Sequence, residues 1–121
     1  MIPARADIKG YAGASGTVEG TVRILRNPSE AVNLIPGEIL VTTATNIGWT
    51  TVFTKAAAII TDIGAPLSHA AIVAREFGIP AVVGCGNATQ VLHDGDMVRV
   101  DGSTGVVTIL RSHTIRKESH L

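Results

Sequence analysis

Residues 61–84 read TDIGAPLSHAAIVAREFGIPAVVG, and this stretch decides the fold. Thr61 closes an apolar run, Ala57 to Thr61, short enough for a strand covered on both faces. A loop over Asp62 to Leu67 follows. Ala70, Val73, Ala74 and Phe77 then recur at helical spacing and give one apolar face. Gly78 ends that helix, and Pro80 marks the stop, because proline cannot continue a helix and glycine readily takes the left-handed cap. Ala81 to Gly84 is another short buried strand.

Outward from this strand, helix, strand unit the chain reads mostly as β-structure. Thr17 to Ile24 alternates, with Val18, Val22 and Ile24 on one side and Thr17, Glu19, Thr21 and Arg23 on the other. Asn27-Pro28 breaks it, Pro36-Gly37 turns, and Glu38 to Thr43 forms a second strand through Ile39, Leu40 and Val41. Asn46 caps a short helix through Phe53 that buries Trp49 and Val52. Asn87 to Leu92 forms a further helical turn or two. The close is a hairpin with arms Met97 to Val100 and Val106 to Leu110, turned by Asp101-Gly102-Ser103-Thr104-Gly105. The expectation is an α/β domain over 1–110, a mixed sheet with packed helices, followed by a polar, flexible tail over 111–121.

Composition narrows the function. The chain has 121 residues, which fits one domain, and 45% are hydrophobic, enough for a core without disulfides or metal. Ten basic and ten acidic residues cancel, so no broad positive field draws nucleic acid or an anionic membrane. The longest apolar runs fall far short of the roughly 20 residues of a spanning helix, and no secretory signal opens the chain. Cys85, the single cysteine, permits no internal disulfide and fits a reducing cytoplasm.

The chemistry concentrates at His69, placed after a glycine-containing turn at the start of a helix. The first helical turn leaves amide N–H groups without intrahelical partners, and those of Ala70 and Ala71 can meet an anion. Together with the partial positive charge of the helix end they make a phosphate site that needs no lysine or arginine. An imidazole there is suited to attack phosphorus, and its phosphorylated nitrogen is a good leaving group, so the group can be passed on. Gly64 lets the backbone turn sharply. Ala70 and Ala71 leave room for a second protein surface to approach the ring. Ser68 either caps the helix or bonds near the ring, and Thr61 or Asp62 orients the other ring nitrogen. Arg75 either helps bind phosphate or a partner, or sits favourably against the helix dipole.

Other residues read as structural. Cys85 between two glycines is a packing residue, and Trp49 a core anchor. His93, His113 and His120 are scattered without zinc-ligand spacing, so no metal site is expected.

Residues 61–84 as quoted, Lys9 to Gly20 with its Gly-Ala-Ser-Gly-Thr-Val-Glu-Gly stretch, and the Asp101 to Gly105 turn resemble the mobile, phosphohistidine domain of phosphoenolpyruvate-utilising enzymes. Phosphoenolpyruvate synthase, pyruvate phosphate dikinase and rifampicin phosphotransferases belong to that group. The resemblance implies a swivelling β/β/α domain that carries phosphate between an ATP-grasp nucleotide domain and a barrel that binds phosphoenolpyruvate or pyruvate. It implies transfer to Nε2 of His69. ATP and Mg²⁺ are implied on the partner, with no cofactor bound by this domain. Two departures stand out: Ala65 replaces a second glycine, and Leu67 stands where regulated dikinases carry a phosphorylated threonine.

The chain has no Gly-x-x-x-x-Gly-Lys-Ser/Thr loop and no room for an ATP-grasp or barrel domain, so it is not expected to turn over alone. It begins with Met and ends untagged, which favours a free-standing relative with separately encoded partners over an excised domain. The competing expectation is a docking or regulatory module that keeps the fold without the chemistry.

Overall fold

The computed structural model describes residues 7–112. Strands β1 (Asp7–Lys9), β2 (Tyr11–Ala14) and β3 (Thr17–Ile24) come first, and β4 (Ile39–Thr42) follows a 3₁₀ turn, Pro28–Asn33. A second 3₁₀ turn, Ile47–Trp49, runs into α1 (Thr50–Phe53) and leads to β5 (Ala58–Thr61). Next come α2 (His69–Phe77), β6 (Ala81–Val83), α3 (Ala88–Val91), β7 (Met97–Asp101) and β8 (Val106–Arg111).

The strands lie in the order β1-β8-β7-β3-β4-β5-β6-β2. Neighbours from β3 to β6 are parallel, and the outer pairings are antiparallel, so the sheet is mixed. β1 and β2 are separated only by Gly10, yet they occupy opposite ends of this order. The sheet must therefore fold over until its ends meet.

Two apolar cores result, and the period-2 alternation of the central strands assigns residues to each. Ile39, Val41, Ala58, Ile60 and Val82 face Val98, Val100 and Val107 across the folded sheet. Leu40, Ile59, Ala81 and Val83 face the helices through Trp49, Val52, Phe53, Ala71 and Ala74. This is the swivelling β/β/α arrangement: an antiparallel layer, a mostly parallel layer and a helical layer. Because β4, β5 and β6 are buried on both faces, they read as continuous apolar runs.

The β7–β8 hairpin closes the molecule. Gly10 N–H donates to the Gly105 carbonyl at 2.8 Å, and Gly102 N–H to the Gly16 carbonyl at 2.8 Å. A Cβ on Gly102 would sit 1.8 Å from the Ala14 carbonyl oxygen, so the turn can dock on β2 only as glycine.

Several expectations need correction. β1 and β2 were not expected as strands: Tyr-Ala-Gly-Ala carries no alternation, because its small residues serve close packing. Phe77 is 40% exposed, its ring 6.2 Å from that of Phe53 between centroids, so the buried part of the apolar face of α2 ends at Ala74. Glu38 lies just before β4 yet is buried, held by both arms of the Arg23 guanidinium at 3.2 Å and by the Ile35 N–H at 2.8 Å. That hydrogen bond, with nearby carboxylates, raises the Arg23 pKa, and burial opposes the rise. β8 includes Arg111, one residue beyond the expected domain end. The expected tail lies outside the described residues from His113 onward, as do His113 and His120.

Candidate functional site

Two loops at the carboxyl ends of β4 and β5 build the site. The Ile63 N–H donates to the Thr43 carbonyl at 2.9 Å, joining them. In the first loop the Asn46 side chain accepts from Gly48 N–H at 2.9 Å and starts the 3₁₀ turn, which buries Trp49. In the second, Gly64 takes φ 144°, a value side chains rarely adopt. Ser68 then occupies the N-cap in extended conformation, and His69 opens α2.

His69 Nδ1 lies 2.8 Å from Thr45 Oγ1. The edge of Phe53 meets the ring at 88°, with centroids 6.1 Å apart. The ring is half-buried. With Nδ1 engaged by Thr45, Nε2 is the other ring nitrogen. A lone pair on Nε2 requires the proton on Nδ1, and Thr45 Oγ1 is placed to accept it.

The supporting residues divide. The Thr61 and Asp62 side chains make their hydrogen bonds away from the ring. The Thr61 hydroxyl donates to the Ile63 carbonyl at 2.9 Å, and Asp62 accepts from the Thr89 N–H at 3.0 Å and from the Thr89 hydroxyl. Asp62 thereby ties the loop to α3, while Thr45 takes the position expected of Thr61 or Asp62. Thr45 was missed because it is far along the chain and sits in Thr-Thr-Ala-Thr, where nothing marks one hydroxyl over another.

Ser68 makes no side-chain cap bond, and its Oγ is buried without a partner. The first-turn amides are thus not occupied by a capping oxygen. Ala70 and Ala71 are buried against the helix-side core, with Ala71 fully enclosed. Their small size lets α2 pack closely on the sheet. Arg75 Nη2 donates to the Pro66 carbonyl at 2.6 Å, so in this structure the guanidinium holds the loop before His69.

Cys85 packs beside Gly10, and burial, with a smaller contribution from Asp62, pushes its thiol up to about 11. His93 Nδ1 lies 4.0 Å from Asp96 within a turn. Among the described residues no three His, Cys, Asp or Glu side chains are grouped to hold a metal ion. None of the described helices is long and apolar enough to cross a membrane.

Fold and site together define a small swivelling domain with a histidine at a helix start. The chain belongs to the family described as PEP-utilising enzyme, mobile domain, whose sequence model matches residues 34–105. It is 47% identical over 106 residues to a probable phosphoenolpyruvate synthase of Staphylothermus marinus, covering 86% of this chain and 13% of that protein. To the rifampicin phosphotransferase of Bacillus cereus it is 44% identical over 109 residues, covering 90% of this chain and 12% of that one. The chain thus spans about an eighth of the length of these relatives. Among solved structures, aconitase X of Thermococcus kodakaraensis superposes with a TM-score of 0.68 at 26% identity, covering 88% of this chain and 99% of that chain.

Proposed function

We infer that this domain is a phosphoryl carrier in which Nε2 of His69 is the acceptor and donor atom. The observation that carries the reading is the 2.8 Å contact between His69 Nδ1 and Thr45 Oγ1 at the first position of α2. The Nε2 lone pair attacks phosphorus, an N–P bond forms, and the bond to the donor's leaving oxygen breaks. Nδ1–H stays on the ring and donates to Thr45 Oγ1. The first-turn amides stabilise the phosphoryl oxygens. An acceptor oxygen then attacks phosphorus, and the N–P electron pair returns to Nε2.

On this reading the donor is ATP with Mg²⁺ on an ATP-grasp domain, or phosphoenolpyruvate on a barrel domain, and the other site receives the group. Those domains act in trans or belong to a longer parent. A cytoplasmic setting follows from where ATP and phosphoenolpyruvate are metabolised. Incubated with a nucleotide-binding partner, ATP and Mg²⁺, the wild type is expected to gain an acid-labile, base-stable phosphate, and His69→Ala none.

The second reading is a docking or regulatory module that keeps the fold without phosphoryl transfer. The likeness to a chain of aconitase X favours it, since that enzyme's name denotes no phosphotransferase. A wild type that stays unmodified with a competent partner decides for this second reading.

A further inference from the structure

Ser68 stands at the N-cap of α2 with extended backbone, φ −70° and ψ 164°, the conformation from which a serine hydroxyl ordinarily accepts from the second or third helical amide. Here it does not. Its Oγ is turned toward Gly64 instead, enclosed and without a hydrogen-bond partner. A Cβ on Gly64 would stand 3.0 Å from that oxygen, so the glycine makes the room in which the hydroxyl is held. The Thr61 hydroxyl, 3.4 Å from the same Cβ position, already donates to the Ile63 carbonyl.

Two groups are thus left open at one helix end. The first turn forgoes the stability that a serine cap supplies, and an enclosed hydroxyl has given up water without a replacement. Rotation about the Ser68 Cα–Cβ bond could close the cap and relieve both. Toward the amides of Ala70 and Ala71 the hydroxyl can act only as an acceptor, and as a cap it would occupy the place of an anion; toward an anion it is a donor that works beside them. Arg75, the one basic residue of α2, is engaged on the Pro66 carbonyl, so an anion at this helix start meets neutral donors.

We propose that the Ser68 hydroxyl is a phosphoryl ligand held in reserve: it turns out of the niche at Gly64 and donates to an oxygen of the phosphoryl group on Nε2 of His69. This rests on the carrier reading above and adds a third donor to the first-turn amides, together with the movement that delivers it. Because the bond exists only when the phosphoryl group is in place, it favours transfer without strengthening the resting protein. Removing the hydroxyl should therefore move stability and rate in opposite directions, which neither a helix cap nor a packing residue would do.

The test uses wild type, Ser68→Ala and Ser68→Thr. Each is labelled with phosphoramidate, a small phosphoryl donor that brings no protein surface, and phosphate on the peptide that holds His69 is followed by mass spectrometry. The unlabelled proteins are unfolded in urea. Ser68→Ala is expected to unfold at higher urea than wild type and yet to label His69 about tenfold more slowly, with Ser68→Thr restoring the rate. Labelling of Ser68→Ala at the wild-type rate overturns the proposal and leaves the carrier reading standing. Slower labelling with a urea midpoint at or below that of wild type overturns it too, since the hydroxyl then serves the resting fold. So does a threonine variant as slow as alanine, because it carries the same hydroxyl. A wild type whose His69 takes no phosphate overturns the carrier reading, and this proposal with it.

Discussion

Replacing Thr45 with valine removes one hydroxyl, keeps the side-chain volume, and isolates the contact on which the proposed phosphoryl transfer turns. In the resting ring the bond between Nδ1 and Thr45 Oγ1, 2.8 Å long, joins neutral groups and contributes about 1 kcal/mol. As phosphorus bonds to Nε2 the ring gains positive charge, and the same bond becomes charge-assisted, worth about 2 kcal/mol. If the resting ring also loses its bond on substitution, only the difference of about 1 kcal/mol appears in the barrier, a slowing of about fivefold. If water replaces the hydroxyl in the resting state alone, the full 2 kcal/mol appears, about thirtyfold. Thr45 is half-buried in a loop, so stability is expected to fall by less than about 1 kcal/mol. Single-turnover labelling of Thr45→Val and Thr45→Ser measures the rate, and ¹⁵N NMR of the imidazole reports which nitrogen holds the proton. Serine is expected to restore both. A valine variant that labels at the wild-type rate with the proton still on Nδ1 would refute the reasoning.

Three further outcomes follow from other contacts. Gly102→Ala drives a Cβ to 1.8 Å from the Ala14 carbonyl oxygen, so it should destabilise by at least about 3 kcal/mol and lower the melting temperature by about 12 °C or more; an unchanged melt contradicts the hairpin's docking. Glu38→Ala strips the Ile35 amide of its acceptor and leaves Arg23 only the longer pairing with Asp94 at 3.6 Å, so it should lower stability by about 2 kcal/mol in urea unfolding, while labelling of His69 continues at the wild-type rate. Cys85, its thiol pushed to about 11 by burial, should alkylate about a hundredfold more slowly than a free cysteine at pH 7.5, and at the free rate once unfolded. Because the unfolded thiol ionises first as pH rises, the same shift removes stability between about pH 9 and 11, and Cys85→Ala should flatten that decline.

The parallel core of the fold was legible because strands buried on both faces leave unbroken apolar runs, and α2 because its buried positions recur with the helical period. Asn46, Gly78 and the Asp101 to Gly105 turn marked boundaries through local chemistry that acts within a few residues. What stayed hidden depends on distant pairing. β1 and β2 are strands because β8 and β6 come to meet them, and nothing in Tyr-Ala-Gly-Ala announces that. Thr45 reaches His69 across two loops, and Arg23 finds Glu38 through the β3–β4 pairing. Alanines at 70 and 71 were visible as small residues, but only the packing of α2 on β2 and β6 shows why they are small. His69 itself stood out because the turn, the helix start and the imidazole occupy one continuous segment.

The two short strands on either side of Gly10 act as a clasp, since each zips one free edge of the sheet. Their partners, β6 and β8, emerge from the ribosome much later, so this early segment waits unpaired while most of the domain is made. Folding should therefore finish with a late, long-range step. A fragment lacking residues 7–14 would bare both edges at once and invite strand-to-strand aggregation.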